Sequence, residues 1–490
     1  MKGWCTALAV AGILAGCDLA PRYDSPHYLL PDSYQGSGAF RVAQPQDALS
    51  PRGDWWTLFG DQQLNQLEER LGRENPTLAA AAEVYTQARD LAAEAQSQLY
   101  PQIGAQALVS DSQESAHHLF SPFNVPRQEG SNVIGGTALW EPDFWHAIRN
   151  SAHAQKRLAQ ASAADLATVR LSLEAELAND YIAVRGYDVE LEVLRESIIA
   201  YQKAVEVARL RSQGKIASDL DLDRALNQLD SAKAQLTETQ LQRDLMQHAI
   251  AVLVDAMPST FSIAPVKEFT LRPPEVPAGV PSELLQRRPD VASAERQMAA
   301  ANAQIGVSRA TFYPNITLSG GGGFEDDAFN LFSLPNGLWS VGAAATLPLF
   351  EGGLRRAALQ RSWSQYAQTR DGYRFTVLAS FQEVEDGLSL THRLATEAVQ
   401  QREASDQAVQ ALNISTMLYE DGLDYYLSVA VAQVTALAAQ TAEVQILTRQ
   451  MQASVSLILA LGGGWTVGSL PTEKQTLPFG PLDYGVADKK

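Results

Sequence analysis

Long apolar runs and an excess of positive charge are both missing from this sequence. Beyond the first sixteen residues no stretch approaches the roughly 18 consecutive apolar residues of a membrane-spanning helix, and the best candidate, 249–254, is far too short. Any crossing of a bilayer would therefore use β-strands. Lysine and arginine number 38 against 56 aspartates and glutamates, which gives a net charge of −18. A nucleic-acid partner is not expected, because phosphate binding needs clustered basic residues.

Cysteine is also scarce, since the chain has only Cys5 and Cys17. Residues 1–16 have the length and apolar run of a signal peptide. They end in Leu14-Ala15-Gly16-Cys17, which resembles a lipobox, where cleavage precedes a cysteine that receives acyl chains. Loss of Cys5 would leave one acylated cysteine, so we expect a covalent lipid on Cys17 and no disulfide. A plain secretory signal is the alternative.

Catalytic and metal-binding constellations are not evident. The seven histidines are scattered, and His117-His118 has no further ligands nearby in the sequence. Gly320–Gly323 lacks the Lys and Ser or Thr of a phosphate loop and lies in a strand pattern. We therefore expect no enzyme activity, no metal and no cofactor beyond the lipid on Cys17.

Recurring motifs indicate a tandem duplication. The paired segments are Asn75-Pro76 with Arg288-Pro289 and Tyr100-Pro101 with Tyr313-Pro314 at an offset of 213, Phe144–Arg149 with Phe350–Arg355 at 206, and Gly214 with Gly422 at 208. Each copy is predicted to contain one helix, two strands and two longer helices.

The strands are predicted from a period of two that follows the first helix of each copy. Helix 76–99 ends at Tyr100-Pro101, and apolar residues then alternate from Ile103 to Val109. The clearest strand is Trp339–Leu349, with one apolar face and about ten residues, as in a membrane barrel strand. An ordinary soluble hairpin is the alternative. Polar loops are predicted between the strands of each copy, at Asp111–Ser131 and Glu325–Gly337.

Very long helices follow the strands. The first is predicted over Asn150–Ser212, and apolar residues three and four apart give it a coiled-coil seam. The seam residues are Val184, Tyr187, Leu191, Leu194, Ile198, Tyr201, Val205 and Ala208, with Val377, Phe381, Val384 and Leu388 in the second copy. After Gly214 and Gly422 the chain is predicted to return through Leu226, Leu229, Ala232 and Leu236, and through Val431, Val434, Leu437 and Val444.

Two hairpins give four strands, and an open four-stranded sheet in a membrane would leave two unpaired edges. Closure requires several chains. Twelve strands from three copies is the smallest cyclic arrangement with a usable lumen.

Several motifs resemble the outer-membrane efflux lipoproteins of the TolC/OprM-like, NodT-type family. They are Trp55–Asp61, Leu64–Leu67, Asn75–Leu78, Arg287–Val291 and Leu347–Gly353, and they cover almost the whole mature chain in order. The resemblance implies a mixed α and β membrane protein with four long-helix hairpin elements and four β-strands per chain. Three chains would form a 12-stranded outer-membrane β-barrel continuous with a periplasmic α-helical barrel.

The same resemblance implies a domain organisation and partners. The expected divisions are a signal peptide (1–16), a lipid-anchored segment (17–54), two efflux repeats (55–270 and 271–464) and a C-terminal tail (465–490). The expected partners are two further copies of the chain, a periplasmic adaptor (membrane fusion protein), an inner-membrane transporter and outer-membrane lipid. Drugs, toxic compounds or metals would be the exported molecules.

The family resemblance places the gate at the turns Arg211–Gly214 and Tyr419–Gly422. Acidic and aromatic residues at or after the turns are the candidate constriction: Asp219, Asp221, Asp223, Asp424 and Tyr425. A threefold ring of aspartates would favour cations, although these carboxylates could instead cap the returning helices. Candidate adaptor contacts are Gly214, Lys215, Ile216, Gly422 and Leu423, of which the glycines could also be left-handed caps. Val431 stands where family members often have an acidic residue.

Two other functions share parts of this pattern. One is the outer component of type I protein secretion, and the other is a periplasmic coiled-coil tether that transports nothing. The predicted location is the outer membrane with extension into the periplasm. Asp18 weighs against it, because Asp after the anchor cysteine keeps some enteric lipoproteins in the inner membrane.

Overall fold

The computed structural model describes residues 18–26, 34, 53–113, 115, 128–268, 272–274, 276, 281–327, 330 and 332–480. The predicted signal peptide, Cys17 and His117-His118 lie outside these residues. The helices in this part are α1 Gln62–Glu74, α2 Pro76–Ser97, α3 Ala147–Gln213, α4 Asp219–Leu253, α5 Pro281–Arg287, α6 Pro289–Ala310, α7 Leu354–Glu420 and α8 Tyr426–Ala460. The strands are β1 Gln102–Gln113, β2 Gln128–Trp140, β3 Asn315–Asp326 and β4 Gly337–Thr346.

The starts of the shorter helices follow from local chemistry. Asp61 accepts hydrogen bonds from two backbone N–H groups of α1, and Asn75 accepts one from Leu78 at the start of α2. Pro76 and Pro289 occupy the first positions of α2 and α6, where a missing N–H costs nothing. The equivalence of Asn75-Pro76 and Arg288-Pro289 therefore reflects equivalent helix starts.

The four strands form one antiparallel sheet in the order β1-β2-β3-β4. β1 and β4 are its edges, and every residue of both strands is exposed in the single chain. The Gly320–Gly323 run lies inside β3, as expected. At Gly323 a Cβ would overlap the carbonyl oxygen of Ile134 on β2, so close strand approach explains this glycine.

Two predicted strand and loop boundaries were wrong. Asp111–Ser131 is not all loop, because β1 runs to Gln113 and β2 starts at Gln128, with Gln113 paired to Gln128. Backbone pairing does not require apolar side chains, so the polar ends of these strands still pair. The loop at Glu325–Gly337 is similarly shortened by β3 and β4.

The strand predicted over Trp339–Leu349 ends at Thr346 instead. Thr346 pairs with Asn315, the first residue of β3, so no partner remains for later residues. Pro348 also lacks the N–H that a ladder would need. The chain turns there toward α7.

α3 and α7 are the longest helices in the described part of the chain. Each has 67 residues, which corresponds to about 100 Å. Near the sheet the helices lie side by side in the order α2, α3, α6, α7, and at the other end α4 and α8 pack along α3 and α7.

The duplication is more regular than the motifs predicted. The first and last residues of α7 lie 207 positions after those of α3, and the same offset separates α8 from α4. The predicted offsets of 206 and 208 were therefore each wrong by one residue. They were obtained by matching identical residues, which do not occupy equivalent backbone positions in the two copies. The offset of 213 holds for α2 with α6 and for β1 with β3.

The predicted seam of α3 is confirmed, since its residues are buried or half-buried against α4 and α8. The seam of α7 is confirmed in the same way. The seam of α8 was partly wrong. Val431 and Val434 are more than half exposed, whereas Val429 and Leu437 face the interior.

α8 is apolar on more than one side, which explains this error. Among the described residues it is the one helix long and apolar enough to cross a membrane by length and composition. A single such helix is weak evidence for a span, and α8 packs along α7 for its length. Its apolar period therefore does not show which face packs within the chain.

Candidate functional site at the helical turns

The turns that join α3 to α4 and α7 to α8 have the same backbone geometry. In the first, Ile216 N donates to Arg211 O at 2.8 Å and Lys215 N to Ser212 O at 2.9 Å. In the second, the equivalent bonds run from Leu423 N to Leu418 O at 2.8 Å and from Gly422 N to Tyr419 O at 3.0 Å. Both are Schellman motifs.

The residue with positive φ differs between the turns and corrects one prediction. Gly422 has φ 75° and is the left-handed cap that was considered for it. Gly214 has φ −72°, and the left-handed position belongs to Lys215, with φ 57°. Lys215 is thus the counterpart of Gly422, and Gly214 is not.

The candidate adaptor contacts form the exposed end of the molecule. Gly214, Lys215 and Gly422 are exposed. Ile216 and Leu423 are 80% and 74% exposed, although both are large and apolar. Equivalent positions of the two turns therefore present one apolar side chain each.

The candidate constriction residues of the first repeat lie at the start of α4. Asp219 is exposed and accepts a hydrogen bond from Ser212 Oγ at 2.5 Å. Asp221 is largely covered and lies 3.7 Å from Arg224, and Asp223 is exposed. The capping residue is Ser218, which accepts from Leu220 N, so none of these aspartates is the cap. Asp219 and Asp221 still complement the positive end of the helix.

The second repeat places Asp424 and Tyr425 just before α8. Asp424 is half-buried and accepts a hydrogen bond from Tyr425 N at 2.7 Å, while the Tyr425 ring is 81% exposed. Val431, one and a half turns into α8, is exposed. The second turn has three carboxylates, Glu420, Asp421 and Asp424, so an exposed Val431 does not make it less acidic than the first.

An aromatic and cationic cluster connects the two turns, and the sequence did not identify it. Arg211 Nη2 donates to Glu420 O at 3.0 Å, and its guanidinium lies 4.3 Å from the centre of the Tyr419 ring. Tyr419 meets Tyr426 edge-on at 5.4 Å. Tyr201 Oη donates to the Gln433 carbonyl at 3.0 Å. Arg211, Tyr419, Tyr426 and Tyr201 are named the tip cluster below.

Burial dominates the ionisation of the tip cluster. It raises the pKa of Tyr426 to about 12, with the neighbouring tyrosines and Asp221 acting in the same direction. Burial also raises the pKa of Tyr419, and Arg211 opposes this effect. The phenols are therefore neutral, and Arg211 is the cation that joins the repeats.

Within the described ranges, no group of three or more His, Cys, Asp or Glu side chains could hold a metal ion. The predicted lipid site, Cys17, lies outside them. The turns present carboxylates and exposed apolar side chains, which can act through charge and steric restriction.

Comparison with known proteins agrees with this architecture. The pattern of the outer membrane efflux protein family matches residues 68–254 and 280–463. The chain is 31% identical over 436 residues to the pyoverdine export outer membrane protein OpmQ of Pseudomonas aeruginosa, covering 87% of this chain and 90% of that protein. It is 28% identical over 469 residues to outer membrane protein OprJ of the same organism, covering 94% and 96%.

The fold is also shared with a solved channel. The Campylobacter jejuni CmeC outer membrane channel superimposes with a TM-score of 0.85 at 21% identity, covering 94% of this chain and 99% of that one. The chain belongs to the outer membrane efflux protein family and has the fold of an outer-membrane efflux channel.

Proposed function

We propose that three copies of this chain close into the outer-membrane channel of a tripartite efflux system, which passes small molecules from an inner-membrane transporter and a periplasmic adaptor to the outside. The observation that carries the proposal is the sheet with two exposed edges, β1 and β4. An open sheet cannot remain in a bilayer, because its unpaired backbone groups have no water to bind.

The topology supports closure by further copies. β1 and β4 run in opposite directions, so placing β4 of one copy beside β1 of the next continues the antiparallel alternation. The strands have 10–13 residues, enough to cross a hydrocarbon layer when tilted. Three copies give twelve strands and a lumen, with α3 and α7 continuing the wall away from the membrane.

Closure can be tested with disulfides, because the mature chain would have no cysteine except the acylated one. Each variant carries one cysteine in β1 and one in β4. In one register these cysteines should form disulfides between neighbouring copies, and the product should be a covalent trimer on a denaturing gel. A matched pair at Gly136 and Gly322, which face each other within one chain, should give no intermolecular product. Failure of every β1 and β4 combination in a folded, membrane-inserted sample would contradict the proposed barrel.

The lipid anchor is part of the proposal. Cys17 would carry acyl chains in the periplasmic leaflet of the outer membrane, and the tips of the helices would lie in the periplasm. The mass of the N-terminal peptide of the mature protein tests this directly. An unmodified Cys17 in protein from the outer membrane would contradict it.

The gate would lie at the tips, where Asp219, Asp221, Asp223, Asp424 and Tyr425 are available to line a threefold constriction. Repeated carboxylates would favour cations over anions. Replacing both Asp221 and Asp424 with Ala should lower the cation preference in planar bilayers, with Asp230→Ala, farther along α4, as the control. Unchanged currents would exclude these two residues.

The adaptor would contact the apolar ends of the turns, Ile216 and Leu423, together with Gly214, Lys215 and Gly422. Two apolar side chains per copy would give six in a threefold ring, alternating between the repeats. Exported cargo would be chosen by the transporter and not by this chain. We expect Ile216→Ser with Leu423→Ser to abolish adaptor binding while leaving conductance intact, because the double variant adds no charge near the constriction.

A further inference from the structure

The segment that follows the predicted anchor lies along α6 as an extended strap, defined here as residues 18–23. Its contacts are Tyr23 Oη to Glu295 Oε1 at 2.5 Å, Asn302 Nδ2 to Pro21 O at 2.8 Å and Arg309 Nη1 to Leu19 O at 3.0 Å. Going back toward the N-terminus, the strap therefore climbs α6 toward the sheet. Its direction is fixed by three separate hydrogen bonds.

The upper end of the strap fits a notch between α3 and α6. Gly306 forms the notch, because a Cβ there would lie 2.8 Å from the Cβ of Ala20. Asp18 Oδ1 accepts hydrogen bonds from Asn150 Nδ2 and from Ala20 N, both at 3.0 Å. Partial burial opposes ionisation of Asp18, but these two bonds outweigh it and lower its pKa. Asp18 is thus an ionised, specifically held residue.

A cavity of about 560 Å³ opens where α6 ends and the sheet begins. Its lining is mainly apolar and includes Phe144, Trp145, Ala310, Tyr313 and Leu354, and four charged residues also line it: Glu141, Asp143, Glu351 and Arg355. Trp145 stacks on Tyr313 at 4.7 Å between ring centres, and its indole N–H donates to Pro314 O at 2.8 Å. The aromatic wall is therefore held in place by contacts within the protein.

The strap leads to this cavity. Ala147 and Ala310 line it, and they lie one helical turn closer to the sheet than Asn150 and Gly306, the strap contacts on the same helices. Residues three or four apart share one helix face. Cys17 directly precedes Asp18, and consecutive Cα atoms are about 3.8 Å apart. The described strap therefore runs toward the mouth of the cavity, and Cys17 is the next residue in the sequence.

We propose that this cavity binds one acyl chain of the lipid on Cys17, and that the strap and Gly306 notch deliver it there. The inference rests on the proposed acylation. It gives the anchor a defined place against the protein at the junction of sheet and helices. One acyl chain would pack on Trp145 and Tyr313, and the others would enter the bilayer.

The test uses the full-length protein from cells fed a fatty acid that carries a diazirine. After irradiation, crosslinked peptides are mapped by mass spectrometry. We expect lipid from Cys17 on the peptides that contain Phe144 and Trp145 or Tyr313. The variant Ala147→Phe, which fills the cavity from α3, should lose at least nine-tenths of this product. The control Ala163→Phe, another half-buried alanine of α3, should keep it.

Three results would overturn the proposal. Crosslinks confined to bilayer lipid or to exposed strand residues, on a chain with an intact acylated peptide, would show that the acyl chain lies elsewhere. If a diazirine phospholipid labels the same cavity peptides of Cys17→Ser as strongly as those of the wild type, the cavity binds membrane phospholipid instead. An N-terminal peptide without acyl mass would refute the lipid anchor, whereas loss of channel conductance in the same sample would concern the proposed channel.

Discussion

The middle of the chain and the tips are held together in different ways. In the middle, Asp188 is fully buried and lies 3.0 Å from Arg185 and 2.5 Å from Arg243. The two arginines also donate to the backbone carbonyls of Ala264 and Ile263, each at 2.7 Å. At the tips, Arg211 connects the repeats through one hydrogen bond and one cation–π contact, and Tyr201 adds its bond to the Gln433 carbonyl.

The difference separates a fixed region from a region that can rearrange. Breaking a buried network leaves uncompensated charge and affects the whole fold. Breaking the contacts of a half-exposed arginine changes a local equilibrium. A channel that opens at its tips would need this distribution, because motion there must not loosen the wall.

The largest effect is expected from Asp188→Ala. The substitution would leave Arg185 and Arg243 buried without their carboxylate, which should lower the free energy of unfolding by about 3–5 kcal/mol. Thermal melting of the purified protein measures it. Asp230→Ala, an exposed partner of Lys233, should change stability by no more than about 0.5 kcal/mol. Equal losses of unfolding free energy in the two variants would show that the buried network around Asp188 does not stabilise the middle.

The middle should also lose stability as pH rises. Burial and the charge of Glu174 raise the pKa of Glu68 to about 10, and neither Glu68 oxygen has a hydrogen-bond partner. Burial raises the pKa of Glu174 to about 7, although Trp55 donates to it at 3.2 Å. The unfolded chain releases these protons near pH 4.5, so it binds fewer protons than the folded chain above that pH. Stability should therefore fall from about pH 4.5 upward.

Glu68→Gln tests this pH dependence. The variant should be more stable than the wild type at pH 8 by at least about 1.4 kcal/mol, the equivalent of one pKa unit. The gain should vanish near pH 4. Melting curves that shift in parallel at both pH values would contradict the assignment of the buried proton to Glu68.

At the tips, Arg211→Ala should raise the open probability of the channel by about tenfold, which corresponds to about 1.4 kcal/mol. The reason is the loss of the two contacts that Arg211 makes with the second repeat. The measurement is single-channel recording, with Arg209→Ala as control, because the nearest carboxylate to Arg209 is 3.9 Å away. The melting temperature of Arg211→Ala should equal that of the wild type. An unchanged open probability would show that Arg211 does not hold the gate closed.

The smallest effect is expected from exchanging the residues with positive φ. Lys215→Gly should stabilise its turn by about 1 kcal/mol, and Gly422→Lys should destabilise the other by a similar amount. Hydrogen exchange at the two turns measures both changes. If Lys215 and Gly422 occupy equivalent positions, the two substitutions must change the stability of their turns in opposite directions.

The sequence predicted what depends on local pattern. Pro76 and Pro289 located two helix starts, and the spacing from Val184 to Ala208 identified the buried face of α3. Both features depend on chain geometry within a few residues. The family motifs added the order of the elements.

Features that depend on distant contacts were not predicted. Arg211 and Tyr419 are 208 positions apart, and nothing local indicates that they meet. Lys215 occupies a position where glycine is preferred, so the search for glycine selected Gly214 instead. Asp18 was considered only as a sorting signal, whereas its partner Asn150 is visible only in the folded chain.

We propose that this chain forms an outer-membrane channel closed at its tips, and single-channel conductance of the purified trimer tests this most directly. Wild type and Arg211→Ala should be recorded side by side in planar bilayers. We predict ohmic, cation-preferring steps that occur more often in the variant. A folded trimer that never conducts in either form would contradict a channel gated at its tips.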